Sequence, residues 1–111
     1  MAESKSGTTF YVTIHLDPEN VGKWFEIARP VFEKIKAEPQ LVFFELYRSP
    51  DDPGAISWLE KWSESREWLF EIQLKKDYYT DYFAATEPLF VKPREITFLT
   101  PVGSPFFHSK S

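Results

Sequence analysis

The chain has 111 residues, with 13 basic and 17 acidic side chains and a formal charge of −4, and 18% of its residues are aromatic. One domain fits this length. There is no cysteine, which excludes disulfides, thiol nucleophiles and thiolate metal sites and makes a reducing, cytoplasmic setting the expectation.

His15 and His108 are too few for a histidine-rich metal site, and no HExxH occurs. The acidic balance and the lack of a basic stripe argue against nucleic acid. The isolated glycines at 7, 22, 54 and 103 form neither a P-loop nor GxGxxG. No apolar run is long enough to span a bilayer, and the polar start has no signal-peptide core. Eleven Phe, five Tyr and four Trp exceed what one small core needs, so some rings are expected to line a pocket or an interface.

Residues 1–8 read as a disordered polar leader ahead of a domain over 9–102, with 103–111 as a C-terminal tail. From Phe10 to Leu16 the residues alternate, with Phe10, Val12, Ile14 and Leu16 on one face, as a half-buried strand requires. Asp17-Pro18 predicts a helix start with the carboxylate as N-cap. Val21, Trp24, Ala28, Phe32 and Ile35 continue at helical spacing to about Lys36, with a kink expected at Pro30.

Leu41 to Arg48 is the strongest strand pattern, and Asp51-Asp52-Pro53-Gly54 turns it back into a strand from Ala55 to Trp62. Serines 63 and 65 offer caps for a second helix whose apolar side carries Trp68, Leu69, Ile72 and Leu74. Another helical stretch begins near Tyr78. Pro88 and Pro93 bracket a linker before a last strand over Ile96–Leu99. The order β-α-β-β-α-β predicts an α+β, ferredoxin-like split βαβ fold with one antiparallel four-stranded sheet.

Helices on one face should leave the other face of that sheet polar. Strand two instead puts Leu41, Phe43 and Tyr47 on one side and Val42, Phe44 and Leu46 on the other. Strand three puts Ile56, Trp58 and Trp62 opposite Leu59. A second copy of the sheet, in a two-fold homodimer, is the economical cover. The alternative cover is the tail with Phe106 and Phe107.

The segment Glu38-Pro39-Gln40-Leu41-Val42-Phe43-Phe44-Glu45-Leu46-Tyr47-Arg48 resembles the strand-two signature of the antibiotic biosynthesis monooxygenase (ABM) family. The turn Ser49–Gly54, the junction Glu60–Glu64 and the linker Thr86–Phe90 are similar to that family's in the same order, over roughly Phe10 to Val102. The resemblance implies a dimeric α+β barrel with a ligand cavity between sheet and helices. It also implies cofactor-independent oxygenation of a phenolic, quinol or polyketide-like aromatic substrate, without metal or flavin. Where many members carry histidines in and just after the second helix, this chain has Glu71 and Tyr78. Where haem-degrading relatives use an Asn and a His, it has Thr13 and Asp81-Tyr82, with no axial ligand.

Such chemistry needs a dry pocket and a group that takes a phenol proton. His15 and Glu45, with Glu71 at the family's histidine position, are the candidate catalytic residues. Glu60, expected to share a face with Glu45, is read instead as an ion-pair partner of Arg48, Lys61 or Arg94. Trp58, Trp62 and Trp68 with Tyr47, Tyr78, Tyr79 and Tyr82 form the aromatic set expected to surround a flat ligand, and Tyr47, Trp58, Trp62, Trp68, Tyr78 and Tyr82 are the candidate substrate-binding residues. A non-catalytic homodimeric binding protein for a flat hydrophobic ligand is the alternative reading.

Overall fold

The computed structural model describes residues 7–110. Strand β1 (Thr8–Leu16), helix α1 (Val21–Lys36), strands β2 (Leu41–Arg48) and β3 (Ala55–Trp62), helices α2 (Arg66–Glu71) and α3 (Asp77–Thr86), and strand β4 (Phe90–Leu99) follow in chain order, with single 3-10 turns before α1, between α2 and α3, and before β4. The sheet order is β2-β3-β1-β4 with every pairing antiparallel, which is the expected ferredoxin-like arrangement. The proposed leader falls mostly on residues 1–6, outside the described residues, and β1 starts two positions ahead of the expected Phe10.

The alternation of β1 and β3 builds the core. Phe10, Val12, Ile14 and Leu16 are buried on one face, and Ile56, Trp58, Glu60 and Trp62 stand beside them from β3. Helix α1 lays its stripe of Val21, Trp24, Ala28, Phe32 and Ile35 on this face. Trp24 stacks on Trp58 at 5.7 Å between ring centres, and Phe32 meets the same indole edge-on at 5.4 Å. Both geometries suit the quadrupoles of the rings.

Several local expectations need correction. The Asp17 carboxylate makes no cap bond, because Pro18–Asn20 forms a 3-10 turn before α1 begins. Ser65, rather than Ser63, caps α2 by accepting the Trp68 backbone N–H at 3.1 Å, and Ile72 lies half exposed beyond the end of that helix.

Strand β4 starts at Phe90, not Ile96, so Pro93 lies within it. The missing amide of a proline is tolerated there because β4 is an edge strand and its register to β1 shifts between Glu95 and Lys92.

The largest correction is in β2. Leu41 pairs with Trp62 but Phe43 pairs with Lys61, so a bulge at Val42 adds one residue. Beyond it Phe44 and Leu46 join Leu41 on the helix side, while Phe43, Glu45 and Tyr47 turn to the outer face beside Lys61, Leu59 and Ser57. The outer face is still partly apolar: Tyr11, Phe43, Tyr47 and Leu99 keep between 37% and 47% of their surface exposed. The tail does not cover it within one chain, since Phe106 and Phe107 are 79% and 69% exposed.

Candidate active site

Between the sheet and the helices lies a cavity of about 280 Å3. Its floor is the inner face of the strands, with Phe10 and Val12 from β1, Trp58 and Glu60 from β3, and Ile96 and Phe98 from β4. Its roof comes from Phe32 of α1, Leu69 and Phe70 of α2, and Tyr79, Tyr82 and Phe83 of α3. The walls are almost wholly apolar or aromatic, the character of a small-molecule site. Phe70 and Ile96 keep 46% and 50% of their surface exposed, so the opening lies between α2 and β4.

Glu60 is the only carboxylate lining this space among the described residues. It is 5% exposed, and none of Arg48, Lys61 and Arg94 forms an ion pair with it. Instead Trp58 Nε1 donates to Oε2 at 3.0 Å and Trp62 Nε1 donates to Oε1 at 2.8 Å. Period-two spacing creates this arrangement, because residues 58, 60 and 62 share one face of β3 and place an indole on each side of the carboxylate.

Burial pushes the Glu60 carboxyl up to about 7, with the Trp62 and Trp58 donors pulling the other way. A group balanced near neutrality inside an apolar chamber is suited to take up and return a proton.

Two phenols and the Arg94 guanidinium are the other polar groups lining the cavity among the described residues. Burial drives the hydroxyls of Tyr79 and Tyr82 well above their ordinary range, and the negative charge of Glu60 adds to both effects. Both remain protonated donors at any working pH. Tyr79 also accepts Gln73 Nε2 at 3.0 Å, which fixes its ring. The same amide donates to Tyr78 at 2.7 Å, and Tyr78 donates to Glu38 Oε2 at 2.6 Å. Glu38 also pairs with Lys76 at 2.9 Å. Burial and the Glu38 bond push the Tyr78 phenol to about 12. Tyr78 thus ties the start of α3 to the end of α1 and lines no part of the cavity.

The sequence-derived candidates divide accordingly. Trp58 and Tyr82 line the cavity, and Trp62 stands behind it as the second donor to Glu60. Trp68 packs on Trp62 at 5.9 Å. Tyr47 lies on the outer face, where it donates to Glu45 at 3.0 Å. His15, also on the outer face, sits 3.5 Å from Glu95. Glu45 and Glu60 do not share a face, since Glu45 pairs with Leu59 and Phe44 with Glu60. Glu71 is exposed at the end of α2. None of His15, Glu45 and Glu71 reaches the cavity.

Tyr79, from the aromatic set expected around a ligand, also lines the cavity, and so does Arg94, which the sequence suggested only as an ion-pair partner. The signal for Glu60 was present in the pattern Trp-x-Glu-x-Trp on a buried strand, where only an indole N–H neighbours the acid on its own face.

No cluster of metal-ligating side chains occurs among the described residues, and no helix of these residues is long and apolar enough to cross a membrane. No family model matches the sequence. A candidate monooxygenase from Pestalotiopsis microspora is 33% identical over 95 residues, spanning 86% of this chain and 79% of that protein. Two solved structures share the fold. One is described as a candidate antibiotic biosynthesis monooxygenase from Caulobacter crescentus (TM-score 0.80, 20% identity, 90% of this chain and 93% of that one). The other is SnoaB, a cofactor-independent oxygenase from Streptomyces nogalater (TM-score 0.73, 14% identity, 92% and 99%). Relatedness along most of both sequences, together with the shared fold, places the chain in the antibiotic biosynthesis monooxygenase family.

Proposed function

We propose that the chain oxygenates a flat phenolic, quinol-like or polyketide-like aromatic molecule in the cavity, without a cofactor, and that Glu60 is the base. The observation that carries this reading is a lone carboxylate, poised at about 7, in a chamber walled by aromatic rings. Glu60 takes the phenol proton, and the electron-rich phenolate reduces dioxygen directly. The new C–O bond forms at a ring carbon. After the O–O bond breaks, one oxygen remains as a carbonyl and the other leaves as water. Two hydrogens leave the substrate, and its four-electron oxidation balances the four-electron reduction of dioxygen. Tyr79 and Tyr82 donate to the developing oxyanion, and the apolar walls exclude bulk water.

The outer sheet face is the surface that a second copy would cover, by packing Tyr11, Phe43, Tyr47 and Leu99 against their counterparts. Light scattering should then give twice the chain mass for the wild type and the single mass for Phe43→Glu. A monomeric wild type at micromolar concentration contradicts the dimer.

Oxygen uptake with a panel of hydroquinones and anthrones, using metal-stripped protein, tests the chemistry. Turnover above buffer that disappears in Glu60→Gln is expected. Tight binding without oxygen uptake by the wild type would instead establish a ligand-binding protein on this scaffold.

A further inference from the structure

Beyond the buried carboxylate, the cavity has one cation among the described residues lining it, Arg94. It sits at the open side of the chamber and is shared with a wider, shallower hollow of about 680 Å3 that also takes in Glu87 and Lys92. Its guanidinium lies 5.0 Å from the centre of the Phe83 ring, a wall of the cavity, and 5.9 Å from that of Phe90. A second arginine, Arg66, covers Phe98 at 3.7 Å on the same open side. In a chain of net charge −4, the entrance is thus flanked by two cations, each seated on a wall ring.

Arg94 is held loosely in charge terms. Its side-chain hydrogen bond among the described residues is one contact at 3.3 Å, from Nη2 to a Glu87 carboxylate that is itself 51% exposed. A guanidinium carries five N–H donors in a planar fork suited to two parallel bonds with a carboxylate. The remaining donors have no hydrogen-bond partner among the described residues, and the residue lines the cavity. Tyr82 lines the same cavity, its hydroxyl feeling the positive field of Arg94 and the negative field of Glu60. Because Glu60 lines only the cavity while Arg94 is shared with the outer hollow, a planar molecule with its phenol at Glu60 can turn its far end toward Arg94.

We infer that the substrate is an aromatic acid: a planar phenol or quinol bearing a carboxylate, which Arg94 grips at the entrance while Arg66 adds to the attracting field. This rests on reading the cavity as the site for a flat aromatic molecule. The inference predicts discrimination, because an analogue lacking the acid leaves the guanidinium with only its exposed partner.

The test uses two probes, 1,8-dihydroxyanthraquinone and its 3-carboxylic acid, with binding read from quenching of tryptophan fluorescence, since Trp58 lines the cavity. The acid should bind the wild type about tenfold more tightly than its parent, the gain of a charge-assisted pair at a half-exposed site. The ratio should fall to about one in Arg94→Gln and stay partial in Arg94→Lys, which keeps the charge without the fork. Arg66→Gln should lower the ratio less. Melting curves report whether each variant is folded, and the wild type alone supplies a second reading, because its preference for the acid should shrink as salt is raised. Equal binding of both probes by the wild type, or a preference that survives in folded Arg94→Gln, overturns the inference and leaves the cavity reading intact. Failure of both probes to bind overturns both.

Discussion

The two faces of the sheet are made from the same strands, residue by residue, yet they offer opposite chemistry. On the inner face Phe10, Val12, Ile14, Ile56, Trp58 and Trp62 are buried, and the one acid among them, Glu60, is enclosed by two indoles. On the outer face Glu45 is exposed and bound by Tyr47, and His15 pairs with Glu95. An acid removed from water keeps its proton until near neutrality, and so becomes a usable base. Position in the pleat, more than residue type, separates the reactive carboxylate from the solvated one.

Substitution at paired positions should break or sharpen this contrast. The largest effect is expected at Glu60. Glu60→Gln should lower oxygenation by about 10²–10⁴-fold, the range for loss of a general base, while Glu45→Gln should stay within about twofold if a half-exposed surface bond has no part in catalysis. Steady-state oxygen uptake reads both.

Next come the adjacent residues Ile14 and His15, which point to opposite faces. Ile14→Ala empties a fully buried site and should cost about 2–5 kcal/mol in urea unfolding. His15→Ala removes a contact to a half-exposed partner and should cost under about 1 kcal/mol.

The pH dependence of stability should differ in the same way. Glu60 has an ordinary value of 4.5 and a folded value of about 7, so the fold favours its protonated form. Its contribution is complete below pH 4.5 and is lost as pH rises through 7, a fall of about 3 kcal/mol at 1.36 kcal/mol per unit. Chemical denaturation at pH 5 and pH 8 should show that fall in the wild type and a flattened profile in Glu60→Gln. The smallest effect is in Trp62→Phe, which removes one donor to the carboxylate and should move the Glu60 midpoint up by about one unit.

Much of the fold could be read from the residues, because β1, α1 and β3 keep clean periods of 2 and 3.6 and the Ser49–Gly54 turn carries its own chemistry. Ser49 Oγ accepts the amides of Asp51 and Asp52, and Asp52 accepts that of Gly54. Gly54 has no room for a Cβ against the Leu16 carbonyl. The bulge at Val42 left no such mark. It is one extra residue in an all-apolar run, and it moved Phe43 and Phe44 to faces opposite to those that alternation gives.

The early start of β4 was hidden by Pro93, which a sequence pattern reads as a break and an edge strand tolerates. The site was legible in composition but not in ranking. Trp58 and Tyr82 were among the candidate rings. Glu60, however, reads from the sequence as an ion-pair partner of Arg48, Lys61 or Arg94, although the pattern Trp-x-Glu-x-Trp on a buried strand already puts an indole on each side of it. Residues of α3 such as Tyr79 came together with β3 through long-range packing that no local spacing announces.

The most direct test is the titration of Glu60 itself. Side-chain carbon NMR of protein labelled at the glutamate carboxyl carbon, with the signal assigned by its loss in Glu60→Gln, follows protonation independently of any substrate. The account predicts a midpoint of about 7, set apart from the other glutamates and shifted when a quinol occupies the cavity. A Glu60 signal that titrates with the exposed glutamates would contradict it.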